Sequence, residues 1–369
     1  MKKFLYITDQ VEYSDHSFIG PLFEKYLKEF FDVTIVYFSE FKSDIEIKGS
    51  NIIVPDGYKG NILEELIKHD IDVGAYSYVV VRNIGKVLKS VLKTQERFDF
   101  KVGYRLSFPK RRAQMQVDQA NNKAGFLDVL NNKIKTFSET NLINECDLFL
   151  PTSERMHEEF FEGVTAKTFI CPPAIDPDIL HDNIQHEGEE TRFFYAGTLD
   201  KLREFDKVLD AFNDVRSDKW KLTISTKDPE YAQEIINKYD SLKNHVEIHN
   251  ARTRDELLDL IAAADVTVSA LPDIALFNTS TPVKILDYYS SAVPCIMTNN
   301  ANNNTLFTDD HDAWFCKFTK ESLQEKLEYI ISLSKEEVAQ VGAKGQERLL
   351  AIRNYKTIAQ KLARTLDSL

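Results

Sequence analysis

Three hydroxyls in a row, Thr279, Ser280 and Thr281, stand directly before Pro282, and Lys284 and Asp287 follow. Proline suits the start of a helix and hydroxyl side chains suit the positions before it, so the stretch reads as a helix start leading into a helix from Val283 to Ser291. The free N–H groups of that turn, the hydroxyls and the lysine would form a nest fit for a diphosphate. Asp287, three residues beyond Lys284, falls on a neighbouring part of the surface, where a carboxylate could accept from both hydroxyls of a ribose. The plainer reading is a capped helix with an intrahelical Lys-Asp pair.

A second stretch runs Phe193-Phe194-Tyr195-Ala196-Gly197-Thr198-Leu199-Asp200-Lys201-Leu202-Arg203. It reads as a buried strand ending at glycine, then a short loop with two cations, then an amphipathic helix carrying Phe205, Val208, Leu209 and Phe212. Gly197 would let backbone approach a ligand closely, and Arg203 could give a phosphate a forked, charge-assisted contact. An ordinary strand-to-helix turn with solvated cations would read the same way. In the first half, Arg82 and Asn83 directly follow the run Tyr78–Val81, and Asp15, His16 and Ser17 lie in the loop after the first strand. Both places could line a substrate, although His16 serves equally well as a cap or surface residue.

The elements that must position these residues alternate along the chain. Phe4–Ile7, Val33–Phe38, Tyr78–Val81, Lys101–Tyr104 and Leu148–Leu150 read as strands with helical patterns between them, including one long helix from about Val117 to Glu145. Thr152-Ser153 caps a helix. A linker-like passage, Cys171–Pro177 and Asp182–Glu190, precedes a second run. Its strands are Arg192–Ala196, Lys221–Ser225, Val246–Ile248, Val266–Ser269 and Pro294–Met297, again with helices between. Such alternation predicts parallel sheets covered on both faces, hence an α/β chain of two doubly wound Rossmann-like domains facing across a cleft. Ligands of such sheets bind beyond the carboxyl ends of the strands, where the stretches above fall.

The bulk properties narrow the classes further. At 369 residues with 43% hydrophobic and 28% charged residues, the chain suits two ordinary globular domains. The net charge is -12, with -2 over residues 1–172 and -10 over 173–369, which argues against a general nucleic-acid binder. An anionic membrane would be met by the first half. No run approaches the length of a membrane span, and Thr8, Asp9 and Gln10 cut short the apolar start, so the chain reads as cytoplasmic. Cys146, Cys171, Cys295 and Cys316 are too scattered for a disulfide framework or a metal pair. Asp310-His311-Asp312 and Asp176-Pro177-Asp178 resemble metal-binding acid pairs in form only, and no zinc spacing or phosphate-loop motif occurs.

Together, Gly197 with Arg203, the run Ser280-Thr281-Pro282-Val283-Lys284 with Asp287-Tyr288, and the closing Ala292-Val293-Pro294 resemble the donor half of glycosyltransferases of the GT-B fold, family 4 in particular. Between them, His249 to Leu257 resembles the family's loop and helix near the nucleobase, which places Arg252 there. The resemblance covers about residues 190 to 300. It implies a nucleotide-sugar site in a C-terminal domain of residues 190–349, with an acceptor-side domain of residues 1–175 onto which a C-terminal helix, about 350–369, packs back.

In that reading Arg203 and Lys284 neutralise the leaving diphosphate, with Gly197, Thr198, Thr279, Ser280, Thr281, Arg252 and Asp287 around the donor. Two departures stand out. Family members usually carry glutamate where this chain has Thr279 and Asp287, and the histidine expected in the loop Gly103 to Arg112 is missing. Arg105 takes its catalytic place, with Ser107, Arg82 and His16 on the acceptor side and Lys110, Arg111 and Arg112 as a basic cluster.

The expected activity is retaining transfer of a hexosyl group, from a UDP or GDP sugar foremost, to a hydroxyl of a glycan or lipid-linked acceptor in surface polysaccharide or glycoconjugate assembly. No metal or other cofactor is expected, and peripheral membrane contact through the N-terminal half is allowed. A non-catalytic partner subunit and a nucleotide-sugar epimerase of the same architecture remain the alternatives.

Overall fold

The computed structural model describes all residues except 10–19, 121, 122, 182, 185–187 and 201, and at residue 120 the backbone alone. The chain divides into two compact units, one formed by Met1–Pro173 with Tyr355–Leu369, the other by Ala174–Asn354.

The first unit holds strands β1 (Lys3–Ile7), β2 (Asp32–Ser39), β3 (Glu46–Lys48), β4 (Asn51–Pro55), β5 (Tyr76–Arg82), β6 (Lys101–Leu106) and β7 (Leu148–Pro151). Their order is β3-β4-β2-β1-β5-β6-β7, parallel throughout except for the antiparallel edge pair β3–β4. Phe4, Leu5, Tyr6 and Ile7 are wholly buried, as the central strand of a sheet covered on both faces requires. The helix Tyr355–Asp367 buries Tyr355, Ile358, Ala359, Leu362, Ala363 and Leu366 in this unit and packs on the segment Gly20–Tyr26.

The second unit has β8 (Thr191–Ala196), β9 (Trp220–Ser225), β10 (Val246–His249), β11 (Val266–Ser269), β12 (Cys295–Thr298) and β13 (Trp314–Cys316). The order is β10-β9-β8-β11-β12-β13, all parallel. Counting along each unit's parallel strands, both sheets run third, second, first, fourth, fifth, sixth, the doubly wound order with its switch point between first and fourth strands. The chain is therefore an α/β protein of two Rossmann-like units, as its strand-helix alternation predicts.

Four local expectations need correction. The long helix from Val117 to Glu145 is two helices, Lys110–Ala120 and Phe126–Asn144, the second starting at Gly125, whose N–H is held by Asp128. The helical pattern around Leu22–Phe30 forms a π-turn at Gly20–Tyr26 and a 3-10 turn at Leu27–Glu29. The closing helical pattern, read from about Lys335 to Leu369 as one helix whose end at about 350–369 packs back, is two helices, Lys335–Ile352 and Tyr355–Asp367, that belong to different units. The short strands β3, β4 and β13 escaped the pattern altogether.

Candidate active site

At the carboxyl end of β8, the switch-point strand of the second unit, Gly197 adopts φ +145, which an L side chain rarely tolerates. The turn that follows is built by Asp200, which accepts from the Arg203 N–H at 3.0 Å and also ion-pairs with the Arg203 guanidinium. Thr198 leans on the same carboxylate at 3.3 Å. Lys201 lies outside the described residues.

Facing this turn is the helix Val283–Ser290, which starts where the sequence places it but without the expected hydroxyl caps. Pro282 itself is the cap residue, and no side chain caps the helix. The Thr279 hydroxyl donates to the Ala275 carbonyl at 2.9 Å and the Ser280 hydroxyl to the Leu276 carbonyl at 3.1 Å. Both are spent finishing the preceding short helix Ala275–Asn278, because its terminal carbonyls need partners. Thr281 pairs with Asn302 at 3.4 Å. What remains for an anion are the N–H groups of Val283 and Lys284 at the helix start, since the Ile285 N–H already donates to the Pro282 carbonyl at 3.1 Å.

Lys284 reaches into this place. Its Nζ is buried and, among the described residues, has no hydrogen-bond partner; it stands 4.0 Å from the centre of the Tyr195 ring. Burial pushes its ammonium down to about 7, with Arg203 acting the same way and Cys295 opposing. A shielded cation close to a second cation and a helix start makes a local field that favours an anion. The intrahelical Lys284–Asp287 pair does not form. Asp287 instead meets Arg254 at 3.3 Å, with side chains only 14% and 23% exposed respectively. Burial raises the Asp287 pKa and Arg254 restrains the rise.

Arg252, placed near the base by sequence, is exposed, and its N–H is held by Glu256 at 2.7 Å. Arg254, two residues on, is the cation that reaches the helix. The periodicity of the helix Arg254–Ala262 carried that signal, since its first residue faces the same way as buried Leu258.

In the first unit, the carboxyl ends of β1, β5 and β6 converge on one network. Arg82 donates to Asp9 at 2.6 Å and to Ser107 at 2.9 Å, and Asn83, at φ 58, binds Asp9 at 2.9 Å while accepting the Ser107 N–H at 2.8 Å. Arg105 lies beneath it with no exposed surface, donating to Ser107 at 3.1 Å and to the Cys171 carbonyl at 3.5 Å. Its guanidinium therefore supports the network from inside. Sequence reasoning passed over Asp9, which sits two residues beyond β1 and draws both Arg82 and Asn83. His16 lies outside the described residues.

Of the basic cluster, Lys110 is exposed while Arg111 and Arg112 turn toward the helix Phe126–Asn144. Arg111 and Arg112 both bind Glu139, at 2.7 and 2.8 Å, and Arg112 lies 4.0 Å from the centre of the Phe161 ring. The two Asp-x-Asp sequences shape turns: Asp176 accepts from the Asp178 N–H at 3.0 Å and Asp312 from the Thr308 N–H at 2.6 Å. All four cysteines are buried thiols.

Residues 177–348 match the family of glycosyl transferases group 1. No curated protein matches the chain in sequence. Similar solved structures include a sucrose-phosphate synthase from Thermosynechococcus elongatus, at TM-score 0.73 and 12% identity, covering 100% of this chain and 99% of that one. The HepE protein of Anabaena, in complex with UDP and glucose, aligns at TM-score 0.72 and 12% identity over 100% of both chains. A UDP-forming alpha,alpha-trehalose-phosphate synthase from Burkholderia xenovorans, in complex with glucose-6-phosphate, aligns at 0.70 and 10% identity over 99% of this chain and 100% of that one. At these identities the likeness establishes the shared GT-B fold.

Proposed function

We propose that this chain, which joins a glycosyl transferases group 1 domain to a second Rossmann-like unit, moves a hexosyl group from a nucleotide sugar to an acceptor hydroxyl. The single observation that carries this reading is the buried, unpartnered Lys284 ammonium beside Arg203 and a helix start. A diphosphate placed there would supply the missing counter-charge. It would also release Arg203 from Asp200, since phosphate oxygens bind a guanidinium at least as well as a carboxylate. The Asp287 carboxylate, steadied by Arg254, would hold the ribose.

As the bond between the anomeric carbon and the diphosphate breaks, negative charge grows on the leaving oxygen. Lys284, Arg203 and the helix N–H groups would stabilise it without reorganisation, which is why no metal is required in this proposal. The acceptor hydroxyl would form the new bond at the same carbon and give its proton to the departing diphosphate oxygen, with retention following from the family resemblance. Arg82, Asn83 and Asp9 would orient the acceptor, and buried Arg105 would position Ser107 and Arg82. UDP is the first base to test, because HepE is described in complex with UDP, with GDP next. The acceptor is a glycan or lipid-linked hydroxyl in surface polysaccharide or glycoconjugate assembly, in a cytoplasmic setting.

The test combines thermal-shift screening against UDP, GDP, ADP and CMP sugars with transfer assays over glycan, lipid-linked and sugar-phosphate acceptors. One nucleotide sugar should stabilise the protein, and Lys284→Ala should cut kcat/KM by about 10²–10³-fold. Stabilisation by none of them sinks the donor assignment. Binding without turnover across the acceptor panel would favour the non-catalytic subunit.

A further inference from the structure

The helix Phe126–Asn144 is turned the wrong way round for a surface helix. Five large apolar side chains face outward on it: Phe126 at 81% exposure, Leu127 at 75%, Leu130 at 46%, Ile134 at 61% and Phe137 at 69%. At about 100° per residue they fall within a stripe about 100° wide, the width with which a helix normally faces a core. Its polar side points inward instead. Asn132, Thr136 and Glu139 bind Arg111, and Glu139 and Thr140 bind Arg112. Arg112 is itself only 8% exposed, so partly buried ion pairs hold the helix with its stripe presented outward.

We propose that this stripe is a membrane-surface contact that takes an anionic lipid bilayer lying flat against the first unit. Lys133 borders the stripe on one side, Lys135 lies beyond its other edge, and Lys123 precedes the helix; all three are exposed. The acids of the helix are otherwise engaged, Asp128 on the Gly125 N–H and Glu139 on the two arginines. A protein of net charge -12 thus turns an apolar face edged by lysines outward at this place, the pattern of an in-plane interfacial helix whose lysines reach anionic headgroups. From Phe126 to Phe137 the stripe is about 17 Å long, far short of a span. No helix among the described residues is long and apolar enough to cross a membrane. This inference does not depend on the donor chemistry proposed above.

The experiment is flotation of the full chain with vesicles of phosphatidylcholine, alone and with phosphatidylglycerol added. The protein should float with the anionic vesicles and much less with the neutral ones. A triple variant, Phe126→Ser, Leu130→Ser and Phe137→Ser, should lose partitioning by more than about a hundredfold. Lys133→Gln and Lys135→Gln should each weaken it about fivefold. Because every substituted side chain is exposed, the melting temperature and nucleotide binding should stay unchanged, which separates loss of lipid contact from misfolding. Equal flotation of wild type and triple variant, or none by wild type, overturns the proposal. So does light scattering that shows a dimer for wild type and a monomer for the triple variant, since the stripe would then face a second copy.

Discussion

In the proposed function a single ammonium carries most of the chemistry. Lys284 has a pKa near 7 in the free protein, against an ordinary 10.5, because burial disfavours its charge. Below about pH 7 it is charged in the free and bound states alike; above that, the free protein holds it neutral while a bound diphosphate draws the proton back. Nucleotide-sugar affinity should therefore be level up to about pH 7 and fall beyond it, by at most about tenfold per pH unit, with proton uptake on binding. Calorimetry in buffers of different ionisation enthalpy measures that uptake directly. A nucleotide sugar is the right probe because its esterified phosphates stay ionised throughout. Lys284→Arg, charged at every pH, should flatten the profile; a profile unchanged by that substitution would show that another group titrates.

The helix carrying Lys284 and Asp287 is held in place by two glycines of the helix Lys335–Ile352. A Cβ on Gly342 would overlap the Ala292 carbonyl oxygen and come within 2.7 Å of Pro294, and one on Gly345 would overlap the Tyr289 ring and reach 2.5 Å from the Asp312 carbonyl. Ala292, at φ 52, ends the helix Val283–Ser290, so the helix Lys335–Ile352 packs directly on that turn. Helix propensity alone would make Gly342→Ala stabilising by about 1 kcal/mol. Overpacking costs about 1–3 kcal/mol and acts in the opposite direction, so the variant should melt lower. A melting temperature raised by Gly342→Ala would mean that this contact does not constrain the site helix.

The whole molecule is two units, and the chain crosses between them twice. The helix Tyr355–Asp367 follows the second unit in sequence but buries its apolar face in the first. A chain ended after Asn354 should therefore lose the cooperative melting of the first unit and become protease-sensitive between residues 1 and 173. Nucleotide binding by the second unit should persist. A truncated chain whose first unit still resists protease would show that this helix is dispensable there.

The strand-helix alternation, the restart near residue 190 and the glycine at 197 were legible because they are local: period, β-branched runs and one backbone conformation need no tertiary knowledge. The sequence by itself thus determined two doubly wound sheets and the stretch on which an anion site would form. Only the tertiary structure decided what each side chain faces. Thr279 and Ser280 look like ligands in sequence, yet their hydroxyls close the helix Ala275–Asn278, whose existence sequence patterning did not show. Lys284 and Asp287, three apart, read as a pair, yet burial separates them, one over the Tyr195 ring and the other against Arg254. Arg112 of the basic cluster lies inside, with Arg111 half-buried beside it, because Glu139 on another helix meets them there. Each reversal has the same cause: a charge or hydroxyl takes the partner that packing brings within reach, and packing joins residues far apart in the chain.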